Sequence, residues 1–313
     1  MESLASRHES DAARPPLDPG ALANSSRLAT AIGGLATLTG AVVLCGWLFD
    51  IGALKGILPG FATIALVTFV VLYAPIFVLI IYSFNQGQSP AAWEGWSLHW
   101  YQIAWANAEV KAATIVSFQV ATAAAILSTA LATAAALGTT RRKAFTGQTF
   151  IYVMINQPLM VPEIVTAVAL LLVTAAIKKA TGYTGLGYLI VAHSAFCIPF
   201  AYLPIRARLE SMDSTLEAAA ADLYATPWLA FRRITLPLLW PGIMAGFMLA
   251  FVTSLDDVVI TDHIKSAGVE TLPTYMLGQL RRSMTPAVNA VSAIFFLLSV
   301  LLVTFFFFLN RKK

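Results

Sequence analysis

The sequence predicts an all-α integral membrane protein. Apolar residues make up 58% of the 313 residues and charged residues only 12%. The mean hydropathy is +0.75, far above that of soluble globular proteins. The apolar residues form stretches of about the twenty residues that a helix needs to cross a bilayer. The basic residues lie in short clusters between these stretches and the net charge is only +4, which excludes a nucleic-acid partner.

Seven apolar stretches have the length of a membrane span. They lie at roughly 29–49, 60–83, 112–138, 150–177, 186–205, 238–260 and 287–309. The last six form the predicted core, within a transmembrane domain over 59–313. The sequence before it divides into a polar, proline-containing tail over 1–27, expected to be disordered, and an extra hydrophobic segment over 28–58.

The first apolar stretch, 29–49, is predicted to be an extra N-terminal transmembrane helix. Its glycines leave a re-entrant or interfacial helix as the alternative. The basic residues of the tail also favour the cytosol, whereas a spanning helix here would place the N-terminus outside. The glycines are Gly33, Gly34, Gly40 and Gly46, and the basic residues of the tail are Arg7, Arg14 and Arg27.

The distribution of basic residues predicts the orientation in the membrane. Clusters at 141–143, 206–233 and 311–313 are expected in the cytosol, so the C-terminus is cytoplasmic. The gap from Asn85 to Val110 has no Lys or Arg and is rich in Trp, as expected of an outer interfacial segment. Four basic residues are also expected on the outer side, and they weaken the charge asymmetry without reversing it. They are Lys178, Lys179, Arg281 and Arg282.

A charged amphipathic segment between two apolar spans predicts a helix, a bend and a second helix. Ser214 to Glu217 fit the capping-box pattern, and a helix is expected from about 215 to 223. Thr226 and Pro227 suit the N-cap and the first position of the next helix. Such an elbow can dock a partner; the alternative is an amphipathic helix resting on the membrane surface, with Arg232 and Arg233 at the headgroups. The apolar positions at helical spacing are Leu216, Ala219, Ala220 and Leu223.

This segment resembles the cytoplasmic coupling loop of ABC importer permeases. The family pattern is Glu-Ala-Ala, three residues, Gly, nine residues, Ile, one residue and Leu-Pro. Ala219, Ala220, Ile234, Leu236 and Pro237 match it. Ala218 stands in place of the family's Glu, with Glu217 one residue earlier, and Tyr224 stands in place of its Gly. Because a Tyr with positive φ is strained, the bend is expected to be rounder or placed elsewhere.

The resemblance covers the chain from Tyr73 nearly to the C-terminus and is strongest to the polyamine branch of these permeases. It implies the six-helix type I permease core, with the coupling loop at about 206–237. It also implies a cytosolic ABC ATPase dimer, a second permease subunit, an extracytoplasmic substrate-binding protein and a bacterial inner membrane. The stretches that carry it are 73–76, 82–85, 93–96, 254–260, 271–273 and 286–290.

Three acidic residues in or at the edge of apolar spans are the candidate substrate-pathway residues. Glu163 lies roughly 20 Å into its span and Asp256 roughly 27 Å along a helix counted from Leu238. Asp257 follows it. A flexible polyamine cation needs such carboxylates, and aromatic faces, on a low-dielectric path. The alternatives are a helix terminus capped by the Asp pair and a Glu163 carboxyl that is neutral or paired inside the bundle.

No catalytic, cofactor or metal site is expected. His193 has no second ligand at helical spacing and is expected to bond across helices. Cys45 and Cys197 lie inside apolar spans as small apolar side chains. No glycine-rich phosphate loop precedes a Lys-Ser or Lys-Thr pair, so ATP hydrolysis is assigned to a partner subunit.

The predicted function is the permease subunit of an ATP-driven importer, with putrescine or spermidine as the substrate that the resemblance implies. Two alternatives stay open. One is an importer for another solute, such as an amino acid or an opine-like compound. The other is a secondary transporter working alone, for which coupling-ion ligands and internal repeats would be expected.

Overall fold

The computed structural model of the protein describes residues 61–89, 92–141, 145–266, 268–282 and 286–311. The predicted tail over 1–27, the hydrophobic segment over 28–58 and its helix over 29–49 lie outside the described residues. The chain divides after Leu98 into two units, and each is described by itself.

The described residues are almost entirely helical. Five of the helices are long and apolar enough to cross a membrane, and a shorter apolar helix covers Leu66–Tyr82. The elements are α1 (Phe61–Tyr82), α2 (His99–Ala106), α3 (Ala108–Thr140), α4 (Gln148–Met160), α5 (Glu163–Thr181), α6 (Leu186–Ser211), α7 (Thr215–Asp222), α8 (Pro227–Ala230), a π-helical segment (Phe231–Thr235), α9 (Leu236–Leu255), α10 (Val259–Ile264), α11 (Leu272–Arg282) and α12 (Pro286–Arg311).

In the first unit, one buried asparagine organises the loop that follows α1. The Asn85 Nδ2 donates to the carbonyl oxygens of Ala92 at 2.6 Å and Ser89 at 3.2 Å. Its Oδ1 accepts from the Glu94 N–H at 2.9 Å, and an isolated antiparallel bridge joins Asn85 to Trp96. The described residues of this unit that belong to the polar, aromatic-rich gap therefore form a folded loop.

In the second unit, α3, α6 and α9 pack on one another and form the core. The face of α3 in this core consists of small side chains, which let helix backbones approach closely. Larger side chains from α6 and α9 fill the remaining space. The fully buried residues of this core include Ala121, Ala124, Ala125, Ala132, Ala136, Tyr202, Ile205, Leu209 and Leu239.

The predicted single span over 150–177 is wrong, because the structure divides it into α4 and α5. Val161 has φ −94° and ψ 136°, an extended conformation, and α5 begins after Pro162. The residue before a proline is sterically disfavoured in the α region, so Val161 ends the helix. Glu163 therefore stands at the start of a helix and not within one.

The predicted span over 238–260 is also too long. Helix α9 ends at Leu255, and the next residue, Asp256, caps it by donating its N–H to the carbonyl of Val252. The next helix, α10, begins at Val259. The chain breaks at Asp257 because the carboxylate of this residue accepts hydrogen bonds from α10, as described below.

Close contact between α6 and α9 depends on Gly246. A Cβ atom at this position would lie 2.7 Å from the Ala201 carbonyl oxygen and 3.1 Å from the Ile205 side chain. We expect Gly246→Ala to lower the free energy of unfolding by about 1–3 kcal/mol, because the backbone of α6 must move. Thermal denaturation of the purified protein in detergent measures the change.

Gly138→Ala is the matched control for this substitution. A Cβ atom at Gly138 would meet nothing within 4 Å, and Ala stabilises a helix by about 0.5–1 kcal/mol relative to Gly. Equal melting temperatures for the two variants would contradict the close packing of α6 on α9.

Candidate functional site

The three acidic residues predicted from separate parts of the sequence lie together in the structure. Asp256 and Asp257 occupy the break between α9 and α10, and Glu163 is the first residue of α5, which packs on α10. Glu163 lies close to both Asp257 and Asp256. The break before α5 and the break after α9 therefore meet and form an acidic site.

Asp257 is the buried member of this site, with 1% of its side chain exposed. Its Oδ1 accepts from the Ile260 N–H at 3.2 Å. Its Oδ2 accepts from the N–H and the hydroxyl of Thr261 at 2.9 and 2.8 Å. Asp257 thus satisfies the free N–H groups at the start of α10, the role that the sequence left open as the alternative for the Asp pair.

His193 joins three helices beneath the acidic site. Its Nδ1 lies 2.7 Å from the Ser254 hydroxyl of α9, and its Nε2 lies 3.0 Å from the Thr261 hydroxyl of α10. The same Nε2 is 3.4 Å from Asp257 Oδ2. The expectation that His193 bonds across helices is confirmed.

Sequence reasoning missed Ser254 and Thr261 as members of this network. A signal was available for Thr261, because a residue four positions after Asp257 lies one helical turn away. Within the described residues, no group of three or more His, Cys, Asp or Glu side chains is placed to hold a metal ion.

Asp256 and Glu163 are exposed, in contrast to Asp257. Helix α5 lies on an uncovered face, since Ala167 is its only buried residue in the described part of the chain. The acidic site therefore consists of one carboxylate held inside the chain and two on a face that the described part of the chain leaves open.

The predicted helix, bend and helix are also present. Helix α7 covers Thr215–Asp222, close to the predicted 215–223, and α8 begins at Pro227. The Leu229 N–H donates to the Thr226 hydroxyl at 3.4 Å, as expected of an N-cap. We call residues 215–235 the elbow.

The predicted capping box at the start of α7 is wrong. The Ser214 side chain accepts no capping hydrogen bond, and Asp213 Oδ1 accepts from the Thr215 N–H at 2.9 Å instead. The other member of the predicted box, Glu217, turns toward other parts of the chain. Asp213 is an equally good acceptor one residue earlier, so it replaces Ser214.

The expectation of a rounder or displaced bend is wrong as well. Tyr224 itself adopts φ 58°, at the position where the family has Gly. The Ala225 N–H bonds to the Ala220 carbonyl at 3.0 Å and the Tyr224 N–H to the Ala221 carbonyl at 2.9 Å. This is the Schellman motif, whose two hydrogen bonds offset the cost of about 1–2 kcal/mol of a left-handed non-glycine residue.

The elbow has an exposed apolar surface. Tyr224 is 97% exposed, Leu223 82% and Trp228 69%; with Leu216 and Ala219 they make up what we call the elbow surface. Of the other residues that align with the coupling pattern, Ala218 and Pro237 are exposed, Ile234 and Leu236 are half-buried and Ala220 is buried.

Glu217 turns away from the elbow surface. Its Oε1 accepts from the Thr235 hydroxyl at 2.8 Å and lies 3.4 Å from Arg141 Nε. The elbow therefore has an outward apolar surface and an inward carboxylate.

Comparison with known proteins identifies a family and relatives of this chain. Residues 128–312 match the family described as binding-protein-dependent transport system inner membrane component. This range contains the acidic site and the elbow.

Two curated relatives cover most of the chain. The putrescine transport system permease protein PotI of Escherichia coli (strain K12) is 36% identical over 74% of this chain and 83% of its own length. The spermidine/putrescine transport system permease protein PotC of Haemophilus influenzae is 34% identical over 79% of this chain and 95% of its own.

The fold is shared with a chain of a bacterial ABC transporter involved in the import of the acidic polysaccharide alginate. The TM-score is 0.64 at 13% sequence identity, over 86% of this chain and 97% of the other.

Proposed function

Since the chain belongs to the family of binding-protein-dependent transport system inner membrane components, we propose that it is the permease subunit of an ATP-driven polyamine importer, with putrescine or spermidine as substrate. The observation that carries this proposal is the acidic site within an otherwise apolar, membrane-spanning bundle. Of the two relatives named above, one is named for putrescine transport and the other for spermidine/putrescine transport.

The acidic site supports a cationic substrate. A polyamine that leaves water needs negative charge along its path. Carboxylates are rare in membrane spans unless they have a function there. Asp256 and Glu163 are exposed and placed to contact an ammonium group. Asp257 is buried and bonded to α10, so we assign it the positioning of the other two.

The fold alone does not select the solute, because the same fold occurs in the alginate transporter. The choice of a polyamine over an amino acid or an opine-like solute rests on the acidic site and the named relatives. Competition by unlabelled putrescine, spermidine and arginine against labelled putrescine uptake tests this choice.

The elbow surface supports docking of a cytosolic ABC ATPase dimer. Exposed Leu223, Tyr224 and Trp228 are apolar side chains that a partner would cover. The open face of α5 supports a second permease subunit, which would close the pathway around Glu163 and Asp256. An extracytoplasmic binding protein would deliver the substrate, and ATP hydrolysis would take place in the ATPase and not in this chain.

Copurification followed by transport tests this assembly. Tagged protein purified in mild detergent should retain the ATPase, and cells lacking the chain should lose labelled putrescine uptake. Uptake that persists without any ATPase would instead favour a transporter that works alone.

The location proposed is the bacterial inner membrane, with the elbow and the C-terminus in the cytosol. Single-cysteine labelling with a membrane-impermeant reagent should reach Trp96→Cys and Lys178→Cys from outside, and Arg208→Cys only after the membrane is opened. Arg142, which lies outside the described residues, should behave like Arg208. Labelling of positions 96 and 208 from the same side would contradict the proposed topology.

A further inference from the structure

The Glu217 carboxylate joins three segments that are distant in the sequence. It stands on α7, contacts the Thr235 hydroxyl at the end of the π-helical segment and pairs with Arg141 after α3. The Glu217 and Arg141 side chains are only 28% and 20% exposed, and Thr235 is buried. A partner protein that covers the elbow surface would therefore not meet this carboxylate first.

The surroundings of Arg141 make Glu217 its main electrostatic partner. Arg141 Nε and Nη2 are buried and make no hydrogen bond within the described residues, and the Glu217 carboxylate lies within ion-pair distance of Arg141. A partly buried guanidinium that loses the carboxylate beside it is destabilised more than an exposed one. The position of α7 relative to the end of α3 thus depends on this pair.

The bond to Thr235 connects the elbow to the acidic site. Thr235 directly precedes α9, and α9 ends at Leu255, next to Asp256. A helix of this length is about 30 Å long at 1.5 Å per residue. Motion of α7 that is transmitted to Thr235 would therefore move a continuous helix whose other end holds the acidic site.

The π-helical segment is the reason why the bond from Thr235 to Glu217 matters for the transmission of movement. Short π-helical segments interrupt the regular hydrogen bonding of a helix and are frequent at functional sites. Without the bond from Thr235 to Glu217, a displacement of the elbow could be absorbed within residues 231–235. With it, α7 and the start of α9 move together.

We propose that Glu217 is a positioning residue that transmits movement of the elbow to α3 and α9, and that it does not contact the ATPase. This inference rests on the proposed function, because it assumes that an ATPase moves the elbow. Glu217 lies one residue before the family's Glu position. The proposal gives its carboxylate a role inside this chain.

The test measures transport per ATP hydrolysed in the purified complex with its ATPase, its second permease and its binding protein in proteoliposomes. Glu217→Gln removes the charge and keeps an oxygen that can accept from Thr235, and Arg141→Gln removes the other charge. Each should retain the ATPase and its hydrolysis but lower labelled putrescine transported per ATP by about fivefold or more. Thr235→Val keeps both charges, removes only the hydroxyl bond and should act in the same direction.

Two further variants complete the design. The double variant Glu217→Gln with Arg141→Gln should be no worse than either single variant, since the two residues act through one contact. Glu210→Gln is the matched control, because this exposed carboxylate lies outside the elbow and pairs with Arg206 one helical turn earlier. Its transport per ATP should equal that of the unmodified protein.

A loss of bound ATPase in Glu217→Gln, with unchanged transport per ATP in the complex that remains, would overturn the inference and make Glu217 a docking residue. Additive losses in the double variant would also overturn it. Neither result would contradict the proposed function, which fails separately if cells lacking the chain keep normal uptake of labelled putrescine.

Discussion

Asp256→Asn and Glu163→Gln should each reduce labelled putrescine uptake by about tenfold or more while the chain still assembles with its partners. Both side chains are exposed on the open face, and their amide replacements keep nearly the same shape. What they lose is the charge that would meet an ammonium group taken out of water. Removing one partner of such a contact costs about 2–5 kcal/mol, which exceeds the 1.4 kcal/mol of a tenfold change.

Asp257→Asn should behave differently, because Asp257 caps α10. An amide offers one acceptor oxygen where the carboxylate uses both, so either the Ile260 N–H or both the N–H and the hydroxyl of Thr261 lose their acceptor. The expected cost is about 1–3 kcal/mol of stability, visible as lower yield or a lower melting temperature of the purified chain. Reduced uptake in this variant therefore follows from disorder of the site.

The control for these acid-to-amide changes is Glu210→Gln, which lies outside the acidic site and should transport normally. Expression, partner recovery and basal ATP hydrolysis are measured for every variant. Uptake at the unmodified rate in the Asp256→Asn, Asp257→Asn double variant would show that these residues are structural. The main local support for a polyamine substrate would then be lost.

Ala219→Asp should detach the ATPase from the complex or abolish uptake. Ala219 lies on the elbow surface, where the proposed ATPase contact is made of small and apolar groups. A carboxylate buried there without a partner costs several kcal/mol, enough to lower binding by more than a hundredfold. Recovery of the ATPase with the tagged permease measures the effect directly.

Ala219→Ser is the matched control, since it adds a small neutral group at the same position and should retain both the ATPase and uptake. The two substitutions together separate the effect of charge from the effect of size. Normal ATPase recovery together with normal uptake in Ala219→Asp would remove the docking proposal for the elbow surface.

Much of the fold follows from the sequence. The apolar stretches predict the helices because hydrophobic length is a property of each segment alone. Helix α7 and the N-cap at Thr226 were predicted for a similar reason: capping and proline placement are local. The breaks at Val161 and Leu255 were not predicted, since hydropathy averages across them, although Pro162 was a sign of the first.

The candidate site was predicted only in part. The three acids stand out because charge is rare in an apolar span, but sequence does not show that Glu163 and Asp257 meet. It also does not separate buried Asp257 from exposed Asp256, because the two are adjacent and identical. The inward turn of Glu217 depends on Arg141 and Thr235, which only the tertiary fold brings together. The left-handed Tyr224 shows that hydrogen bonds at a helix end can outweigh a residue preference.

ATP-dependent uptake in a reconstituted system tests the central claim most directly. Proteoliposomes would contain this chain with its second permease and its ATPase, with ATP inside and the binding protein and labelled putrescine outside. We predict uptake that requires ATP, the binding protein and this chain, and that unlabelled spermidine reduces but arginine does not. Uptake of putrescine that is independent of this chain, or transport of arginine in preference to both polyamines, would contradict the account.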